Sequence, residues 1–104
     1  MKEVTVEELK QLHESNSDFQ LIDVREEFEY EQSNLGGTHI PLAEIIAGKD
    51  QVSRDKQVII HCRSGKRSAQ AIKVLEREGF DNLYNLKGGI LAWKESIDPS
   101  LNVY

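Results

Sequence analysis

Cys62, the only cysteine in 104 residues, is followed at once by Arg63, Ser64, Gly65, Lys66, Arg67 and Ser68. A thiol is a poor nucleophile until it ionises, and at an ordinary site only about 3% is thiolate at neutral pH. Raising that to about 90% needs roughly 3.4 kcal/mol in favour of the anion. Several backbone N–H dipoles and two or three partly solvated cations can supply it. The residues after Cys62 are suited to this, since Gly65 permits a tight bend, and Arg63, Lys66 and Arg67 bring full positive charges. This basic island lies in a chain of net charge −5, so its natural visitor is a small anion. The competing reading is a buried structural thiol beside solvent-facing bases. It is disfavoured because burial against three bases would be poorly compensated.

Other roles for Cys62 fail on spacing. His61 is its immediate neighbour, so on an extended segment the two side chains point to opposite faces and cannot easily share a metal ion or a proton. His13 and His39 stand at no ligand spacing, and no metal site is expected. His61 reads as packing or hydrogen bonding at a strand end. A single cysteine can form neither an internal disulfide nor a CxxC pair, which suits a reducing compartment, the cytoplasm by default. The acidic balance argues against nucleic acid or an acidic membrane as a partner. The longest apolar runs, such as Val58-Ile59-Ile60, are too short to cross a bilayer, and the N-terminal residues lack the apolar run of a secretory signal.

The elements that must carry this loop can be read locally. Gln57–His61 holds three consecutive β-branched residues, the pattern of a central strand covered on both faces. From about Lys66 to Glu78, Ala69, Ile72 and Leu75 recur at helical spacing, with Gly79 as terminator. Thr5 and Glu8 have the spacing of a capping box, which starts a first helix. Gln20–Asp23 reads as a strand feeding a helix whose first turns carry Glu26, Glu27 and Glu29. Gly36-Gly37 marks a turn and His39-Ile40-Pro41 an extended piece. Leu42 to Ala47 is expected as a short helix closed by Gly48. Asn82–Leu86 reads as a strand, and after Gly88-Gly89 comes a last amphipathic helix with Ile90, Leu91, Trp93 and Ile97.

Strands alternating with helices, without repeats or linkers, predict one α/β domain over residues 1–104 with a mainly parallel sheet. In such sheets ligands bind beyond the carboxyl ends of the strands, where Cys62 falls. Its loop amides are expected to turn inward around the sulfur as an anion-binding cup.

Four stretches then carry a likeness: LIDVREEFEY at 21–30, GGTHIPL at 36–42, VIIHCRSGKRSAQA at 58–71 and LYNLKGGILAW at 83–93. Their content and order resemble the single-domain rhodaneses, which are sulfurtransferases, across nearly the whole chain. The resemblance implies a three-layer α/β/α fold around a central, mainly parallel sheet of about five strands. It implies catalytic Cys62 cradled by the six-residue loop Cys62 to Arg67, with Arg63, Ser64, Gly65, Lys66 and Arg67 binding substrate. The implied chemistry moves a sulfane sulfur from a small anionic donor such as thiosulfate to cyanide, a thiol or a sulfur-accepting protein. A Cys62 persulfide is the intermediate, and no cofactor is needed. Asp23 and Arg25 are similar to the family's aspartate-valine-arginine motif. A structural role is expected for both, Asp23 bonding loop amides and Arg25 pairing with an acid such as Glu29, with direct contact to substrate as the alternative. Trp93 reads as core or loop support. The chain departs from the family pattern at Ser33-Asn34-Leu35-Gly36-Gly37 and in the tail KESIDPSLNVY.

Two rivals share the loop. A cysteine-dependent phosphatase or arsenate reductase wants five residues between cysteine and arginine, whereas four separate Cys62 from Arg67. A smaller ring suits one sulfur better than a phosphoryl group whose oxygens each need donors. A persulfide carrier or interaction module, releasing sulfur only to a protein partner, is not separated from a free enzyme by sequence.

Overall fold

A computed structural model describes residues 1–103 and resolves the alternation into named elements. They are β1 (Glu3–Val4), α1 (Val6–Glu14), β2 (Phe19–Asp23), α2 (Glu27–Gln32), β3 (Thr38–His39), β4 (Gln57–His61), α3 (Lys66–Arg77), β5 (Leu83–Leu86) and α4 (Gly89–Ser96). Among the described residues the strands form one parallel sheet in the order β1-β5-β4-β2-β3. Tyr104, the last residue of the atypical tail, lies outside the described residues.

β4 is central, as three adjacent β-branched residues require, because each of its faces meets a different core. Val58, Ile60 and Cys62 point into a cluster with Ile72 and Leu75 of α3. Ile59 points the other way, into a cluster with Val6 and Leu9 of α1 and with Ala92 and Trp93 of α4. Helices thus cover both faces, giving the three-layer α/β/α architecture. The alternation also fixes that Cys62 faces α3 while His61 does not.

Local signals set the ends of several elements. The Thr5 hydroxyl accepts from the Glu8 amide at 3.1 Å and the Glu8 carboxylate accepts from the Thr5 amide at 2.8 Å, a capping box at the start of α1. α3 stops before Gly79, whose φ of +91° is the left-handed conformation that closes helices. The expected helix from Leu42 to Ala47 does not form. Leu42–Glu44 and Lys49–Gln51 are separate 3₁₀ turns, tied by bonds such as Ile45 N–H to Leu42 C=O at 3.2 Å. β1 is not anticipated from the sequence. Its two residues are too few for any periodicity, and its order comes from pairing with β5, just beyond which Lys87 N–H donates to Val4 C=O at 2.8 Å.

The strand order makes the crevice beyond β2 and β4 a switch point, since β2 leads outward to β3 and β4 leads outward to β5 on the other side. Asp23 and Arg25 close the end of β2. The Arg25 guanidinium grips the Asp23 carboxylate at 2.7–3.1 Å with both side chains almost fully buried, and also donates to the Ser33 carbonyl at 2.7 Å. The Asp23 carboxylate bonds one loop amide, that of Arg25 at 3.0 Å. The expected Arg25–Glu29 pairing is replaced by this one, because the two residues share a tight turn that puts the charges in contact. A buried charge stripped of its partner is costly, about 3–5 kcal/mol. Asp23→Ala is therefore expected to lose that amount of stability in urea denaturation, whereas Asp23→Ala with Arg25→Met loses clearly less; equal losses would contradict the pairing.

Candidate active site

The loop after β4 bends back on itself until the Gly65 amide donates to Cys62 Sγ at 3.1 Å. Gly65 has φ +113°, and an added Cβ there would meet only open contact at 3.8 Å. Backbone conformation, not crowding, therefore demands glycine at this position. The Ser68 hydroxyl, on the first turn of α3, lies 3.4 Å from the sulfur. Burial pushes the Cys62 thiol up and is the largest single influence on it. The Ser68 hydroxyl and the amides of Ser68, Gly65 and Ser64 together outweigh that burial and hold the thiol below its ordinary value. The inward-facing amides expected from sequence are present.

One of these amides is turned inward from outside the loop, since the Ser64 amide shares its peptide plane with the Arg63 carbonyl. Ile90 N–H donates to the Cys62 carbonyl at 3.0 Å and Leu91 N–H to the Arg63 carbonyl at 3.1 Å, so the free amides at the start of α4 hold these carbonyls away from the sulfur. This contact dictates Gly89. A Cβ there would sit 2.5 Å from the Arg63 oxygen and 2.6 Å from the Cys62 oxygen, and the residue has φ +61°. The Gly65 carbonyl is taken by Ala69 N–H at 3.2 Å and by Asn85 Nδ2 at 3.1 Å.

The cations divide into two kinds. Arg63 and Lys66 are exposed on the rim, as is Ser64, whereas Arg67 is half-buried and reaches α2. Its guanidinium makes a two-point contact with Glu29, 2.7 Å to Oε1 and 3.0 Å to Oε2. Glu29 is nearly buried and also accepts from the Glu26 amide at 3.0 Å. The Arg67 bond outweighs burial and holds the Glu29 carboxyl below its ordinary value; the same bond raises Arg67.

His61 is fully buried beside this centre. Its Nδ1 lies 3.3 Å from the Cys62 carbonyl, and its Nε2 has no hydrogen-bond partner, with Asp23 Oδ2 at 3.6 Å. Desolvation, partly offset by the Asp23 charge, holds it below the ordinary histidine value, so it is a neutral packing residue near neutral pH. His39 Nε2 donates to the Arg25 carbonyl at 2.7 Å and its ring stacks on Tyr30. Trp93 packs edge-on to His13 in the cluster with α1. Among the described residues no group of three or more His, Cys, Asp or Glu is arranged to hold a metal ion. None of the helices there is long and apolar enough to cross a membrane.

Three residues of the site are not assigned their contacts by sequence reasoning. Glu29 is expected there as a partner of Arg25, not of Arg67. Ser68 stands out in the sequence only as the place where a phosphatase would need arginine. Asn85 reads only as part of a strand, although a polar residue between Leu83 and Leu86 is a visible signal of a buried polar contact.

A parallel α/β/α sheet that sets one cysteine in an amide-lined loop at its switch point defines a class of domain by fold and site together. Comparison with known families gives the particular one: the Rhodanese-like domain model matches residues 5–96, and the chain belongs to that family. It is 33% identical to a putative sulfurtransferase, YtwF, of Bacillus subtilis, covering 95% of this chain and 96% of that protein. It is also 33% identical to the putative sulfur carrier protein YrkF of the same organism, over 88% of this chain but only 50% of YrkF. The crystal structure of a rhodanese-like domain protein from Staphylococcus aureus superposes with a TM-score of 0.85 at 30% identity, covering 100% of this chain and 99% of that one.

A carboxyl held below its ordinary value stabilises the fold above the ordinary carboxylate range, and the contribution is lost as pH falls through the lowered value. Glu29→Gln is thus expected to cost about 1–2 kcal/mol at pH 7, part of the pair being solvent-screened. The difference in Tm from the wild type should shrink towards pH 3; a gap constant with pH would contradict the ion pair. Gly89→Ala is expected to push the α4 amides off the loop and move the alkylation midpoint of Cys62 up towards that of an ordinary cysteine.

Proposed function

We propose that the protein is a sulfurtransferase that carries sulfane sulfur as a persulfide on Cys62. The observation that carries this reading is the seating of Sγ inside its own loop, 3.1 Å from the Gly65 amide, with a hydroxyl 3.4 Å away. Such a site stabilises a thiolate and, one atom further out, a persulfide anion. The Cys62 thiolate attacks the outer sulfur of thiosulfate, the bond between the two thiosulfate sulfurs breaks, and sulfite departs with its electron pair. An acceptor such as cyanide then attacks the terminal sulfur and leaves as thiocyanate, and the thiolate returns. Two displacements through a covalent intermediate make this ping-pong catalysis without a cofactor.

Arg63, Ser64 and Lys66 on the exposed rim attract the anionic donor and the leaving sulfite, while Gly65 and Arg67 shape the loop. The reducing cytoplasm suits a thiol that must stay free. A relative named as a putative sulfurtransferase at 33% identity over nearly its full length supports the class of reaction. A second reading, a carrier that delivers sulfur to a protein partner, is favoured by the likeness to a putative sulfur carrier protein. Phosphatase chemistry is disfavoured by the spacing of four residues between Cys62 and Arg67, and two of the Arg67 N–H donors are already committed to Glu29.

Incubation with thiosulfate under anaerobic conditions is expected to raise the intact mass by one sulfur atom, and Cys62→Ser to abolish the gain. Absence of any gain in the wild type would overturn the persulfide. Rapid thiocyanate release on adding cyanide identifies a free enzyme, and loading without such release identifies a carrier.

A further inference from the structure

The Ser68 hydroxyl has one proton and two neighbours that can take it. Cys62 Sγ lies at 3.4 Å and Asn85 Oδ1 at 2.6 Å. Asn85 sits on β5 in the same parity as Leu83, which faces the α3 side of the sheet, so its amide reaches the Cys62 loop. The amide cannot simply turn over. Its Nδ2 donates to the Gly65 carbonyl at 3.1 Å and lies 3.9 Å from Met1 Sδ, which leaves Oδ1 towards Ser68. Ser68 is fully buried and Asn85 nearly so, so no solvent offers a substitute partner to either group.

We propose that Asn85 is a positioning residue that competes with the Cys62 sulfur for the Ser68 proton. In the thiol form the S–H donates to Ser68 Oγ, whose proton goes to Asn85 Oδ1, and all three groups are satisfied. When the thiol proton leaves to water, the anion gains the hydroxyl only if Ser68 turns away from Asn85, leaving a buried oxygen unpaired. Asn85 therefore restrains ionisation while the amides favour it. A restrained thiolate is the better nucleophile, because nucleophilicity falls as a thiol becomes more acidic and is best near the ambient pH. The same amide side chain ties the Gly65 carbonyl outward, so one residue on β5 sets both the shape of the cup and the direction of its hydroxyl.

This inference deepens the reading of Cys62 as a sulfur nucleophile and rests on it for its purpose, but its test needs no sulfur donor. The readout is the pH profile of Cys62 alkylation by iodoacetamide. The remaining charged and titratable surroundings are unchanged in every variant: Arg63, Lys66, Arg67 with Glu29 of α2, the Asp23–Arg25 pair, His61 and Lys87.

Asn85→Leu, which keeps the branching at Cγ but neither accepts nor donates a hydrogen bond, is expected to lower the midpoint, raising the ionisation constant about threefold to tenfold, the worth of one hydrogen bond. In a Ser68→Ala background the same substitution is expected to give no such lowering, since no proton is left to contest and only the tie to the Gly65 carbonyl is lost. An unchanged or raised midpoint, or equal shifts in both backgrounds, would overturn the proposal. Should Asn85→Leu fail to fold, Asn85→Asp decides: its stronger acceptor raises the midpoint more with Ser68 than without it, and equal rises count against the relay. A protein that shows these shifts yet gains no sulfur from thiosulfate would refute the proposed function and leave the role of Asn85 standing.

Discussion

The orientation of a few peptide planes governs this molecule. A peptide carries its N–H and C=O on opposite sides, so holding the carbonyl outward turns the amide inward. The start of α4 does this for Cys62 and Arg63, and Asn85 with Ala69 does it for Gly65. The Ser64 amide, which shares a peptide plane with the Arg63 carbonyl, is among the groups that favour the anion at Cys62. Gly89 acts through backbone, its missing Cβ letting α4 come close enough to take those carbonyls.

Fixed dipoles and mobile charges therefore contribute differently from what the basic run at residues 63–67 suggests. The groups that lower the Cys62 thiol are the Ser68 hydroxyl, which Asn85 also engages, and three amides of the loop and the first turn of α3. Arg67 is committed to Glu29, and Arg25 to Asp23, so these guanidinium groups brace the ground beneath the loop. Arg63 and Lys66 remain on the exposed rim, where salt screens them and where they act on an approaching anion more than on a seated sulfur. In the proposed reaction, rigid amide dipoles would need no reorganisation as negative charge passes from thiolate to persulfide, which is the advantage of building the cup from backbone.

Elements whose signal lies within a few consecutive residues were legible. β4 appeared in its run of β-branched residues, α1 in its capping box and α3 in its apolar spacing, which ended within a residue of the observed helix. The segment from Leu42 misled because apolar residues at helical intervals do not distinguish a short α-helix from 3₁₀ turns. β1 escaped because it exists only through β5. The partner of Glu29 was misjudged because Arg25 is close in sequence, while Arg67 is 38 residues away and is brought near only when β4 docks beside β2.

The amino-acid sequence alone determined that one thiol would follow a buried strand, that glycine would let the chain bend there, and that bases and a helix start would come next. Those are local properties, written in side-chain type and spacing. Which amides reach the sulfur, which carboxylate takes Arg67, and that Asn85 meets Ser68 were decided only by the order β1-β5-β4-β2-β3. Hydrogen bonds act over about 3 Å, so groups far apart along the chain acquire partners only once the sheet has set its strands side by side.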